Sequence, residues 1–215
     1  MHGSNRLGGN SLSDLLVFGR LAGMHAADYV DERQQAGWTP NVAQDDIDGA
    51  ISWALAPFTN DKGENPYAIQ KELQEIMNDL VGIIRNADEM RLALKKIDEL
   101  KERTRTMKTT GGREYNPGWH LALDLPKQLL VSQCIAESAL MREESRGGHT
   151  RDDFPAMDPE WRKVNLQCTL IDGRLSVERK PLPTMTPELA ALFDASELSK
   201  YLTKEELDAL TQGAA

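Results

Sequence analysis

Cysteine is nearly missing from this sequence: the 215 residues hold two, Cys134 and Cys168, with no CxxC spacing. They read as reduced thiols of an intracellular chain, and they exclude a disulfide framework. Basic clusters are scarce as well. The formal net charge is −9 and the pI about 5.0, which argues against nucleic acid and against anionic lipid as main partners. No apolar run reaches the length of a bilayer-spanning helix, so no direct membrane insertion is expected. Met1 is not followed by a basic and then an apolar stretch, so no signal peptide is expected. Internal repeats and low-complexity segments are absent.

Helical periodicity dominates what is present. Leu12, Leu15, Leu16, Gly19, Ala22, Gly23, Ala26, Ala27 and Val30 predict a helix over about Ser11 to Arg33, ended by the turn at Gly37 to Pro40. Its stripe narrows to Gly and Ala, the pattern of a helix that packs very closely on something. A second helix is predicted from about Ala43 to Leu55, stopping before Pro57. Asn65 and Pro66 cap a third, with Ile69, Leu73, Ile76, Met77, Leu80 and Ile84 as its stripe. A fourth runs from about Ala87 to Met107, with Met90, Ala93, Leu94, Ile97 and Leu100 inward. A fifth runs from about Trp119 to Arg142, with Leu121, Leu125, Leu129, Cys134, Ile135 and Leu140 inward. Three long amphipathic helices in succession predict an antiparallel bundle. Beyond a charged loop, "VNLQCTLIDGRLSVERKPLP" predicts a β-hairpin turning at Asp172-Gly173 and ended by Pro181 and Pro183. "TPELAALF" and "TKEELDALT" each begin with a helix cap.

The opening "MHGSNRLGGNSLSDLLVFGR" carries the chemistry. Ser11 with Asp14 forms an acidic version of the capping box at the helix start. Free backbone N–H groups and the macrodipole make such an end suitable for a phosphate, a carboxylate or the electron-rich edge of a ring. Gly8 and Gly9 allow close backbone approach, and the planar fork of Arg6 matches a carboxylate. On the residues alone, an anion-binding turn competes with a glycine-rich turn beside a solvent-facing arginine. No Gly-Lys-Ser/Thr follows, so it is not a nucleotide P-loop.

Other constellations read as structural. Arg146, His149, Arg151, Asp152 and Asp153 in "ESRGGHTRDDFP" form a poor metal-ligand set and a good ion-paired loop anchor, so no metal is expected. "KKIDELKERTRTMK" reads as a solvated face with i,i+4 pairs. Trp38, Trp53, Trp119 and Trp161 read as packing anchors.

The stretch "HGSNRLGGNSLSDLLVFGR" resembles the end of the flavin domain in the flavoprotein subunit of succinate dehydrogenase and fumarate reductase. "NPGWHLALDLPKQLLVSQCIAESALMREESRGGHTRDDFP" and "WRKVNLQCTLIDGRLSVERKPLP" resemble that family's last long helix, its arginine-histidine loop and its terminal hairpin. The superfamily also includes L-aspartate oxidase, but Gly8, Gly9 and Asp14 favour the succinate/fumarate branch.

The resemblance implies FAD as cofactor and succinate or fumarate as the dicarboxylate substrate. Hydride transfer to the flavin would be followed by electron flow to an iron–sulfur subunit. That subunit would hold the protein, through a membrane anchor subunit, at the cytoplasmic face of the membrane. Arg6 matches the substrate-carboxylate arginine, Ser11 and Leu12 match the backbone contacts at the pyrimidine end of the flavin, and His2 lies where it would orient substrate. The family's GxGxxG turn, its covalent-flavin histidine and its capping domain have no match in this sequence, so no catalytic residue is assigned. The resemblance therefore implies the C-terminal part of a longer subunit, from a truncated gene, a degenerate fragment or a cut piece, and inactive alone. The expected fold is mainly α. Residues 1–37 would be the end piece of the FAD-binding domain, 38–150 the helical bundle, and 151–215 a C-terminal segment with a β-hairpin and short helices. A fragment of an L-aspartate oxidase and a non-catalytic helical scaffold are the alternatives. An isolated chain would leave the first helix without the sheet it should cover.

Overall fold

A left-handed glycine stops the first helix. Gly37 has φ 79, and its N–H donates to Gln34 O at 2.9 Å while Trp38 N–H donates to Arg33 O at 2.9 Å. In this computed structural model, which describes residues 6, 8–183, 185–200 and 202–212, that helix is α1 (Asn10–Gln35). None of its residues is buried. α2 (Gln44–Thr59) follows, with Asp45 and Asp46 in its first turn, where the dipole favours negative charge. It runs through Pro57 instead of stopping before it. Pro57 is buried in the last turn, where its missing N–H costs one bond, and its carbonyl accepts from Thr109 N–H at 2.8 Å.

α3 (Pro66–Leu80) opens as its sequence predicts: Asn65 Oδ1 accepts from Tyr67 N–H at 3.0 Å, and Pro66 takes the first helical position. Ile84, assigned to its stripe by periodicity, lies instead in β1 (Ile84–Arg85) and is exposed. α4 (Ala87–Thr104) is capped by Asn86, and α5 (Pro117–Met141) by Asn116. α3, α4 and α5 pack on one another around Ile69, Leu73, Ile76, Ala93, Ile97, Leu100, Leu121, Leu125 and Leu129. This is the expected three-helix core. Burying each large aliphatic side chain is worth about 1.5–3 kcal/mol.

The far half of α5 turns a different face inward. Ser132, Ala136 and Ala139 are buried, whereas Cys134 and Leu140 are half-buried and Ile135 is exposed. Small residues hold the inner contact there, and the larger ones lie outside it. Two tryptophans also depart from expectation: Trp38 and Trp53 are 46% and 50% exposed. Trp119 donates its indole N–H to Ala54 O at 2.7 Å, and Trp161 is buried beneath Arg179 and Arg142, so these two are anchors. Within the mixed-charge run, Arg103 bridges Glu64 and Glu72 at 2.6 and 2.7 Å, tying α4 to α3 and the loop before it.

β2 (Thr150–Arg151) pairs in parallel with β1. After α6 (Pro159–Arg162), β3 (Val164–Ile171) and β4 (Arg174–Pro181) form the antiparallel hairpin, with Ile171 opposite Arg174. Asp172 and Gly173 have φ 48 and 77, the two left-handed residues of a type I′ turn. The hairpin packs on α5. The tail forms α7 (Pro187–Ala190), α8 (Ala195–Leu198) and α9 (Lys204–Gln212). Thr203 and Glu206 make the expected capping box on α9: Thr203 N–H donates to Glu206 at 2.8 Å, and Glu206 N–H donates to Thr203 Oγ1 at 3.3 Å.

Candidate functional site

Gly9, not Ser11, caps α1. Its φ of 86 turns the chain into the helix, and its carbonyl accepts from Leu12 N–H at 3.0 Å, Ser13 N–H at 3.3 Å and Ser13 Oγ–H at 3.1 Å. The Ser11–Asp14 capping box does not form, because the cap lies two residues earlier, at Gly9, and Ser11 falls inside the first turn. Ser11 is half-buried and Leu12 is 71% exposed. Arg6 is exposed, on the segment leading into this turn. A Cβ placed on Gly8 or Gly9 would meet no atom within 4 Å. His2 lies outside the described residues.

The structure thus keeps Arg6, Ser11 and Leu12 at one helix start. Arg6 brings a guanidinium, and because the Gly9 carbonyl takes the Leu12 and Ser13 N–H groups, those of Asn10 and Ser11 are left to be satisfied from outside the helix. The combination can hold a carboxylate and contact the edge of a planar, electron-rich ring. The rest of the helix adds no pocket to it: none of the residues of α1 is buried, and Gly19 and Gly23 have open space above them. A groove of about 660 Å³ lies elsewhere, lined by Tyr67, Gln70, Tyr115, His120 and Asp124, and none of the residues read as a site borders it.

The arginine-histidine loop is a built anchor. Arg151, 1% exposed, donates Nη1 to the carbonyls of Ala139, Leu140 and Arg142 at 2.9, 3.0 and 3.1 Å, which satisfies the C-terminus of α5. Its Nε and Nη2 grip Asp153 at 2.7 Å each, and Asp153 accepts from Ala87 N–H at 2.9 Å at the start of α4. The Arg151 fork pulls the Asp153 carboxyl down to about 2. His149 Nε2 donates to Arg142 O at 3.0 Å, and Nδ1 accepts from Arg85 at 2.9 Å. Burial first, and three nearby arginines after it, push the imidazole down and keep it neutral.

Glu144 was not singled out by the sequence, yet it is fully buried. It accepts from Arg142 at 2.8 Å, from Arg146 at 3.0 and 3.1 Å and from Asp158 N–H at 2.9 Å. Burial disfavours its charge, but those donors outweigh it and hold the carboxyl below its usual range. Arg151, Asp153, His149 and Glu144 thus spend their polar atoms on protein partners, which makes the loop architecture and not chemistry. No group of three or more metal-ligating side chains occurs among the described residues. No helix among the described residues is long and apolar enough to cross a membrane.

Comparison with known proteins gives this geometry a family. Residues 70–191 match the family described as fumarate reductase flavoprotein C-term. A structure of Mycobacterium smegmatis Sdh1 in complex with UQ1 is 50% identical, superposes with a TM-score of 0.85, and pairs 96% of this chain with 35% of its own. The fumarate reductase flavoprotein subunit of Escherichia coli is 37% identical over 217 residues, which cover 96% of this chain and 35% of that one. An uncharacterized FAD-dependent oxidoreductase of Methanocaldococcus jannaschii is 36% identical over 163 residues, 75% of this chain and 28% of its own. The chain spans about a third of the length of these relatives. The expected mainly helical fold with a hairpin agrees with the E. coli quinol fumarate reductase structure, at a TM-score of 0.72 and 31% identity. With more than half of its length inside the matched family, the chain belongs to the C-terminal part of the succinate dehydrogenase/fumarate reductase flavoprotein subunits.

Proposed function

We propose that this chain supplies one wall of the active site in a flavoprotein that interconverts succinate and fumarate. The observation that carries the reading is Arg6 and the Gly9-capped start of α1 on one open segment, inside a chain that two relatives match over 96% of its length. Arg6 binds and orients a carboxylate of the substrate through its planar fork. Ser11 and Leu12 meet the pyrimidine edge of the flavin through their backbone, with the Ser11 N–H as the donor that the helix leaves open, and the helix dipole favours negative charge there. His2, four residues before Arg6 in sequence, is carried over by the resemblance alone as a residue that would help orient the substrate. FAD, when bound, supplies the two-electron acceptor. The residues present fit that group at one edge only. Gly8 and Gly9 leave room above the turn, but this sequence carries no GxGxxG turn for the pyrophosphate.

The same reading divides the chain into a flavin-domain end piece over 1–37, a helical unit over 38–150 and a C-terminal segment over 151–215. It implies an iron–sulfur subunit as electron acceptor and, through that, a membrane anchor subunit. The complex would then lie peripherally on the cytoplasmic face of the membrane. The chain alone is not a working enzyme in this reading.

A chimera tests it. This chain replaces the matching region of the E. coli fumarate reductase flavoprotein subunit, and fumarate reduction and flavin content are measured. The chimera is expected to be active. Arg6→Lys, which keeps the charge and loses the fork, is expected to forfeit about 1.5–3 kcal/mol of substrate binding energy, a tenfold to hundredfold fall in kcat/KM. Unchanged turnover and half-saturation in Arg6→Lys, at normal flavin content, would overturn the assignment.

A further inference from the structure

The two cysteines, far apart in sequence, come together where the hairpin lies on α5. Cys168 is exposed on β3, opposite Val177 of β4. Its Sγ is 3.4 Å from Ser138 Oγ on α5. Cys134 stands one helical turn before Ser138, on the same face of the same helix. Both thiols are free. We propose that Cys134 and Cys168 form a dithiol that a peroxide oxidises to an intramolecular disulfide, fastening the β3–β4 hairpin to α5.

The environment assigns the two sulfurs different roles. Burial, and after it the neighbouring Cys168 thiol, push the Cys134 thiol up, so Cys134 holds its proton. Cys168 is the exposed partner that a small oxidant reaches first. Its thiolate attacks one oxygen of hydrogen peroxide. The O–O bond breaks, the departing hydroxide leaves as water after taking a proton, and Cys168 becomes a sulfenic acid. Cys134 then attacks that sulfur. The S–O bond breaks, the S–S bond forms, and the hydroxide leaves with the Cys134 proton as a second water. Two thiols and one peroxide give one disulfide and two waters, with two electrons passed from sulfur to oxygen. The two thiols are neighbours across the α5–hairpin seam, and the bond requires their sulfurs to close to roughly 2 Å. Cys134 serves as the resolving thiol, which spares Cys168 the irreversible steps to sulfinic and sulfonic acid.

The test treats the purified chain with hydrogen peroxide, blocks remaining thiols by alkylation and maps peptides without reduction. The expected result is loss of both free thiols, one linked peptide pair joining Cys134 to Cys168, and a chain that still runs as a monomer on a non-reducing gel. Cys134→Ser should leave Cys168 as a sulfenic acid trapped by dimedone, then over-oxidised at higher peroxide. Cys168→Ser should leave Cys134 alkylated and unoxidised. Circular dichroism of each variant, compared with the parent, separates these outcomes from misfolding. Over-oxidation of Cys168 to the same extent in the parent and in Cys134→Ser would overturn the proposal. So would disulfide-linked dimers in place of the internal peptide pair.

Discussion

His149 shows how much a single residue is set by its neighbours. One ring nitrogen must donate to the Arg142 carbonyl, so the other must accept from Arg85. A second proton would remove that acceptor and face Arg85, Arg151 and Arg142 at once. The folded imidazole therefore takes a proton less readily than in the unfolded chain, where the ordinary value is 6.5. Below about pH 6.5 the unfolded state binds a proton that the folded state refuses, so stability present above that pH is lost as pH falls. Urea midpoints measured between pH 7.5 and pH 5 should decline. In His149→Asn, which does not titrate, that part of the decline should vanish, while the variant starts lower by roughly 1 kcal/mol for each hydrogen bond lost. An equally steep decline in the variant would assign the pH dependence to other groups.

Among the elements, α1 and α5 are the extremes. α5 buries Leu121, Leu125, Leu129 and Ala136 and has its last carbonyls capped by Arg151, whereas α1 buries nothing. Hydrogen exchange should report this directly: amides across Leu121 to Leu140 should be protected close to the global limit, and those across Leu12 to Val30 should exchange far sooner. Equal protection in the monomer would mean that α1 is covered after all. The sequence announces these helices because stripe and cap agree, as Asn65-Pro66 before Ile69 and Leu73 does. It announces the hairpin because Asp172-Gly173 supplies the left-handed turn. The far half of α5 was not legible. Its neighbours decide which side is inward, and Cys134 lies along the seam with β3, where Ser138 meets Cys168. The β1–β2 pair was not legible either, since two-residue strands carry no periodicity and Ile84 meets Thr150 only through tertiary folding. The same holds for Glu144, whose burial depends on Arg142, Arg146 and Asp158 converging on it. Arg6, Ser11 and Leu12 could be named because their stretch resembles a known family, but which residue caps the helix was decided by the backbone at Gly9.

At the scale of the whole molecule the chain is unevenly self-sufficient. The stripes of α3, α4 and α5 satisfy one another, and the loop anchor closes on its own partners, so this part should fold without help. By contrast, α1 buries none of its residues, and Gly19 and Gly23 have open space above them. In the proposed reading, the two backbone contacts of Ser11 and Leu12 would reach one edge of a flavin ring. They leave the adenine, ribose and pyrophosphate of FAD, which carry much of its recognition, without partners in this sequence. An exposed arginine at this one edge likewise gives a dicarboxylate fewer contacts than a closed pocket would. The purified chain should therefore be helical by circular dichroism and colourless. It should be inactive with succinate or fumarate and an artificial electron carrier, and added FAD should keep its free fluorescence. Stoichiometric yellow flavin, or succinate oxidation above a heat-killed control, would show that the start of α1 holds the cofactor more completely than its one-sided geometry allows.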